Sequence, residues 1–229
     1  MIESPPLLTI KTRERRPTRA QIETLKDYPT PMLADALGGQ GALAPEVKPV
    51  STKLPQRAAG AALTVDCGPR DILALGCALH ELEAGEVLVV AAGGWRDSAA
   101  FGDRVCGMAR NGGAAAIVSD GTARDLSGIE AAGLPVWCTG LAPNSPYANG
   151  PGSIGLPVRL GSVQVETGDV IVADEDGVTV IPFDRLDEIA EKIKVTFELE
   201  TELDKKVAEG LAKADSLAEF LASDQVRRI

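Results

Sequence analysis

Histidine is almost missing from this chain: His80 is the only one. It falls near the end of a predicted helix, in Ala78-Leu79-His80-Glu81-Leu82, where a surface or structural imidazole is favoured by the helix dipole. Serine–histidine and cysteine–histidine nucleophiles are therefore disfavoured, as are histidine-built zinc or iron sites. No lysine lies between Lys53 and Lys192, so a Schiff base in that long middle stretch is disfavoured too. There is no G-x-G-x-x-G at a strand-to-helix turn and no P-loop, which argues against nucleotide cofactors and a methyltransferase. Cys67, Cys77, Cys106 and Cys138 lack C-x-x-C spacing and read as reduced, buried small apolar residues. Aromatics are only 3%, so Ala, Val, Leu and Ile must fill the core. No apolar run approaches a membrane span, and Met1–Pro6 lacks the basic start of a secretory signal. A cytoplasmic protein without a membrane partner is expected. With 33 acidic against 23 basic residues, nucleic acid is not expected as a partner either.

What is present is an α/β rhythm. Residues 1–20 form an arm with a basic cluster, Lys11, Arg13, Arg15, Arg16 and Arg19, expected to lie over an acidic neighbour or subunit. Residues 21–229 are read as a single catalytic domain, with no linker inside it and C-terminal helices from about residue 184. Ala20–Tyr28 is predicted helical, and Thr30-Pro31 supplies an N-cap and a first-turn proline for a helix through Leu37. Strands are predicted at 61–65, 87–90, 115–118 and 135–138, alternating with helices at 71–83, 99–111 and 128–132. Val87-Leu88-Val89-Val90 has the wholly apolar pattern of a strand buried on both faces. Residues 141–155 read as a Pro/Gly/Asn-rich loop, 158–165 and 170–181 as β structure with a turn at Asp174–Gly177. Helices are expected at 184–209 and 211–221.

Carboxylates and guanidinium groups remain for chemistry. Asp103 follows Gly102, and twenty residues later Arg124-Asp125 follows Gly121-Thr122-Ala123. Magnesium and manganese take oxygen ligands, often one or two carboxylates with waters. Asp125 directly, with Asp103 through water, would suffice, and Arg124 beside them suits a carboxylate or keto oxygen. The Gly102-Asp103-Arg104-Val105 turn opens a helix whose backbone N–H groups suit an anion. Together these parts suit stabilisation of an enolate. Gly-Asp turns and Arg-Asp pairs are common, and either alone is more often a helix cap or surface ion pair.

The Gly102-Asp103, twenty-residue, Arg124-Asp125 arrangement resembles the D-x20-R-D signature of the HMG/CHA aldolase and RraA-like family of class II pyruvate aldolases. Pro135-Val136-Trp137, Gly152-Ser153-Ile154 and Gly168–Val178 extend the likeness over roughly residues 30–210. The resemblance implies an α/β, β/β/α swivelling-domain-like sandwich assembled as a homo-trimer or homo-hexamer, with sites between protomers. It implies an oxo-acid substrate, 4-hydroxy-4-methyl-2-oxoglutarate or 4-carboxy-4-hydroxy-2-oxoadipate, cleaved to pyruvate, with oxaloacetate decarboxylation alongside. Asp125 would ligate Mg²⁺ or Mn²⁺, Asp103 would orient water on the metal, and Arg124 would bind the substrate's oxygens and place the proton-donating water. Backbone amides of Arg104 and Val105 would hold the pyruvate carboxylate beside Gly102. Glu200, ten residues before Gly210, would reach the metal's waters from the neighbouring protomer; Glu198, Glu200 and Glu202 are equally readable as solvated helix charges. Arg104-Val105 replaces the apolar pair usual after Gly-Asp, and Gly94-Trp95-Arg96-Asp97-Ser98 also departs from the aldolase pattern, making Arg96 a candidate for a distal carboxylate. The family's other branch, RraA, binds and inhibits RNase E without catalysis; retention of both Asp103 and Asp125 favours the enzyme.

Overall fold

The computed structural model describes residues 6–228. The chain begins with β1 (Leu8–Ile10), α1 (Arg19–Leu25), α2 (Thr30–Ala36) and the short β2 (Lys48–Pro49). Then follow β3 (Ala58–Asp66), α3 (Leu73–Glu81), β4 (Val87–Ala91), β5 (Ala99–Phe101) and α4 (Asp103–Asn111). β6 (Ala116–Ser119), β7 (Thr122–Ala123), α5 (Leu126–Ala132) and β8 (Val136–Cys138) complete the alternating region. β9 (Gly152–Ile154), the hairpin of β10 (Val158–Leu160) and β11 (Val163–Val165), β12 (Val170–Asp174) and β13 (Gly177–Ile181) come next. A 3-10 turn leads into α6 (Leu186–Ala208), and α7 (Asp215–Leu221) follows.

The main sheet runs β1-β9-β3-β4-β6-β8-β2, with β3, β4, β6 and β8 parallel. β3 is long enough to serve two partners in sequence. Ala58–Ala61 pair antiparallel with β12, whereas Ala62–Asp66 pair with β4. Period-two alternation then sorts side chains between layers. Leu63, Val65, Leu88, Val90, Ile117 and Val136 face the helical side with α3, α4 and α5. Their neighbours Ala62, Val87, Val89, Val118 and Trp137 pack against β10–β13. The far face of β12 and β13, through Val170, Val172 and Ile181, receives α1, α2 and α6. All of β4 is buried, as its apolar run predicts.

Several sequence expectations shift. Residues 99–101 are strand rather than helix: they pair with β7, and the helix starts at Asp103. Gly152–Ile154 is strand too, pairing with β1 and β3, although it lies in a loop-like composition. The predicted helices at 71–83 and 211–221 shorten to α3 and α7. Thr30 is not a cap but the first residue of α2; its N–H and Oγ1 donate to the buried Asp174 carboxylate at 2.8 and 2.6 Å. A distant carboxylate thereby does the capping.

The arm lies over acidic residues of its own chain. Arg13 makes a bidentate, largely buried pair with Glu86 at 2.7 and 2.9 Å. Arg15 meets Glu166 at 3.2 Å, and Arg16 meets Glu83. The four cysteines are free, and burial pushes the Cys67 and Cys106 thiols up to about 12. His80 is exposed in the last turn of α3. Among the described residues, no helix is long and apolar enough to cross a membrane.

Candidate active site

Asp103 and Asp125 occupy matching positions, each at the junction between a short strand and a helix. β5 and β7 pair in parallel, so both helices leave from the same end of that small sheet. Asp103 is the first residue of α4, and Asp125 is the N-cap of α5. Negative side chains are stabilised at such ends by unpaired N–H groups and the helix dipole.

Two glycines set how closely the halves meet. A Cβ on Gly128 would stand 2.5 Å from Asp103 Cβ and 2.6 Å from its Oδ2. A Cβ on Gly102 would stand 3.0 Å from Asp125 Oδ2 and 3.1 Å from Arg124 Cγ. Glycine at both positions lets α5 approach Asp103 and lets Arg124-Asp125 fold over the turn before α4. Asp103, Arg124 and Asp125, twenty residues apart in sequence, are thus brought to one place.

Backbone and side-chain contacts fix the arginine. Its N–H donates to Phe101 O at 3.1 Å, Nε lies 3.2 Å from Asp125 Oδ2, and Nη1 donates to Ser145 Oγ at 2.5 Å. Arg124 and Asp125 side chains are 38% and 47% exposed, so both remain reachable by a ligand. Asp125 has φ 60° and ψ 48°, a left-handed conformation uncommon outside glycine. Such strain is tolerated where surrounding structure enforces it, commonly at functional sites.

The expected carboxylate pocket differs in one respect. The Arg104 N–H donates to Asp103 Oδ1 at 2.7 Å, so one of the two expected amides is already engaged. Val105 is buried in the core behind it, while the Arg104 side chain is exposed. Glu200 is not brought to the aspartates within this chain. It sits on α6, which packs on α1 and α2, and no metal-ligating group of three or more His, Cys, Asp or Glu occurs among the described residues. Arg96 lines a cavity of about 360 Å³ with Val47, Asp120, Arg159 and Leu160. A cavity of about 560 Å³ lies beneath the arm. Asp103, Arg124 and Asp125 line neither of these two cavities.

Sequence reasoning missed Ser145 and Asp120. Asp120 is buried at the end of β6, where it accepts N–H bonds from Ala92 at 2.6 Å and Gly94 at 2.8 Å. Burial raises its pKa from the ordinary aspartate value, and those donors partly oppose the shift. It ties the 92–98 loop to the strand that leads into Arg124-Asp125. Only its adjacency to Gly121 hinted at this, and Ser145 had no signal within the loop composition.

Fold and site define an α/β sandwich carrying a carboxylate–guanidinium cluster at paired strand-to-helix junctions. The RraA-like profile, described as Aldolase/RraA, matches residues 30–180, and the chain belongs to that family. A Halalkalibacterium halodurans protein named "Putative 4-hydroxy-4-methyl-2-oxoglutarate aldolase" is 35% identical over 180 residues, 77% of this chain and 85% of that one. Streptomyces coelicolor RraAS2, described as an unusual member of the RNase ES inhibitor RraA protein family, is similar with TM-score 0.73 and 28% identity. That match covers 83% of this chain and 100% of RraAS2. The RNA-processing inhibitor RraA from Thermus thermophilus is similar with TM-score 0.61 and 27% identity, over 68% and 93% of the two chains. The mixed-sheet sandwich with C-terminal helices is the RraA-like swivelling-domain fold that the motif resemblance implied.

Proposed function

We propose that this chain is a divalent-metal-dependent carbon–carbon lyase, cleaving a 4-hydroxy-2-oxo acid by retro-aldol reaction to pyruvate. Substrates of the 4-hydroxy-4-methyl-2-oxoglutarate or 4-carboxy-4-hydroxy-2-oxoadipate type suit it. The observation that carries this reading is the convergence of Asp103, Arg124 and Asp125 across Gly102 and Gly128. The name of the Halalkalibacterium relative points the same way.

An all-oxygen donor set of two carboxylates fits Mg²⁺ or Mn²⁺ better than a softer ion. Asp125, aided by Asp103, would hold the cation, which supplies a Lewis acid for the 2-oxo group when bound. Arg124 binds the substrate's keto and carboxylate oxygens through the guanidinium N–H groups that Ser145 and Asp125 leave free. In cleavage the 4-hydroxyl passes its proton to a water beside Arg124, the C3–C4 bond breaks, C4 becomes a carbonyl, and the electron pair passes into the pyruvate enolate. Arg124 stabilises the negative charge that develops on the enolate oxygen. Water held beside Arg124 then returns a proton to C3. Oxaloacetate decarboxylation passes through the same enolate and is expected as a side activity.

A third acidic contribution from a neighbouring protomer belongs to this reading. Leu203 and Val207, at i+3 and i+7 from Glu200, share its face of α6 and are 50% and 56% exposed, as is Leu199 at 68%. That apolar stripe supports assembly as a trimer or hexamer in which Glu200 serves the adjacent site.

The test is pyruvate release from a panel of 4-hydroxy-2-oxo acids and oxaloacetate, with and without Mg²⁺. Metal-dependent release that Asp125→Ala abolishes is expected; silence across the panel with metal present overturns the lyase. The second reading is an RraA-type regulator that binds and inhibits RNase E, favoured by the descriptions of the two solved relatives. Tight ribonuclease capture without pyruvate release would select it.

A further inference from the structure

Arg70 carries a chemistry that the proposed reaction has not absorbed. It follows β3 in the loop Cys67-Gly68-Pro69-Arg70-Asp71, with φ 61°, one of two non-glycine residues with positive φ among the described residues. Its guanidinium carbon lies 5.7 Å from the Trp95 ring centroid and 5.0 Å from that of Tyr147. Both distances fall within the range of cation–π attraction. The chain has only two tryptophans and two tyrosines, and one of each is gathered on this side chain.

The frame around Arg70 is built. Tyr147 N–H donates to Arg70 O at 2.7 Å, and Ile72 N–H donates to Tyr147 O at 2.9 Å. Between them, the buried Asp71 carboxylate accepts the N–H groups of Leu73 and Asn149 at 2.8 and 2.7 Å. Trp95 is held by its Nε1–H, which donates to Ser98 Oγ at 3.1 Å. The 94–99 loop is joined to the 144–147 loop through Asn144, which donates to Asp97 O and accepts from Ala99 N–H.

This frame reaches the active site. Ser145, the partner of Arg124 Nη1, is two residues from Tyr147, a chain distance of at most about 7 Å. Arg70 is exposed and, among the described residues, forms no ion pair within 4.0 Å. Rings that attract a guanidinium restrain it without consuming its N–H donors, which lie in the guanidinium plane. An arginine so restrained, solvent-facing and free of a carboxylate, is prepared for a bidentate anion.

We infer that Arg70, clamped by Trp95 and Tyr147, is the specificity-determining subsite for the distal carboxylate of a dicarboxylic 2-oxo acid. The inference rests on the lyase reading and names which members of that substrate class the site prefers. Arg124 takes the keto-acid end, and Arg70 takes the far end. Arg96, the sequence candidate for this role, lines a separate cavity with Val47, Arg159 and Leu160.

The test measures binding, so that its result does not depend on cleavage. The whole protein with Mg²⁺ is titrated calorimetrically with 2-oxoglutarate and with 2-oxopentanoate, which replaces the distal carboxylate by methyl. Wild type is expected to prefer 2-oxoglutarate. Arg70→Met should erase the preference by weakening 2-oxoglutarate about 10–100-fold while leaving 2-oxopentanoate unchanged. Arg70→Lys, which keeps the charge without the planar fork, should fall between. Methionine retains the Cβ, so the left-handed backbone is no more strained than before, and matched thermal melts check folding. No preference in wild type, a preference surviving in Arg70→Met, or equal weakening of both ligands overturns the subsite. A clear preference with no pyruvate from any 4-hydroxy-2-oxo acid would leave the subsite standing and remove the lyase.

Discussion

In the N-terminal arm, Arg13, Arg15 and Arg16 each meet a glutamate of the same chain. Beyond the carboxyl ends of β3, β4 and β5, Arg70, Arg96 and Arg104 are exposed and, among the described residues, meet no carboxylate within 4.0 Å. One side chain is used in two ways. In the arm, the positive charge is consumed in fastening a segment that otherwise has little apolar surface to bury. At the strand ends of a chain with net charge −10, cations left unmatched concentrate positive potential where α/β sheets commonly receive ligands. Arg124 stands between the two cases, paired with Asp125 yet still open to solvent.

Changes at the strand ends should therefore cost activity with little stability, and changes in the arm the reverse. The largest effect is expected at Asp125. Replacement by Gly should lower pyruvate formation by about 10³-fold through loss of the proposed metal ligand. The same change should leave urea stability equal or about 1 kcal/mol higher, because glycine accepts the left-handed backbone without strain. A parallel loss of stability would break the contrast. Gly128→Ala comes next. Its methyl would force Asp103 aside, and for the proposed role of that carboxylate a displacement near 1 Å should cost about 10²-fold in kcat/KM. Full activity in that variant would remove Asp103 from the site.

In the arm, Arg13→Ala should lower unfolding free energy by about 2 kcal/mol, since the Glu86 carboxylate stays largely buried without its partner. Arg16→Ala, at an exposed pair, should leave the urea midpoint nearly unchanged. Turnover per folded molecule should be unchanged in both. The smallest expected effect is a pH dependence at Asp120. Its pKa is raised in the fold by burial, so the folded state holds that proton more tightly than the unfolded chain. The resulting stability is fully present below the ordinary aspartate pKa and is lost as pH rises through the raised value. Urea melts of wild type and Asp120→Asn should converge or cross in that direction across the acidic range. A constant difference between them would remove Asp120 as the titrating group.

The strand-to-helix junctions were legible because glycine punctuates them and Arg124-Asp125 carries an unusual pair of charges for a turn. Their meeting in space depends on Gly128 against Asp103, a long-range contact that no local pattern encodes. β5 was hidden because Ala99-Ala100-Phe101 are as compatible with the following helix as with a strand, and only pairing with β7 decides between them. β9 was hidden for a related reason: three residues in a Pro/Gly/Asn-rich loop become strand by docking between β1 and β3. Thr30 has the right residue type for a cap, but Asp174, more than a hundred residues away, supplies the acceptor. Buried apolar runs such as β4 were the easiest to read, since both faces of such a strand share one requirement.

β3 has a kinetic consequence. Its first half is hydrogen-bonded to β12 and its second half to β4, so neither sheet can peel away without breaking bonds to the same strand. The amide protons of Ala59 to Val65 should be among the slowest in the molecule to exchange with deuterium, opening only when the whole domain unfolds. Those of the 94–99 and 144–147 loops, which hold Arg70 and Arg124 from the rim, should exchange through small local openings. The platform would then keep time with global unfolding while the rim that carries Arg70 and Arg124 moves on a faster clock.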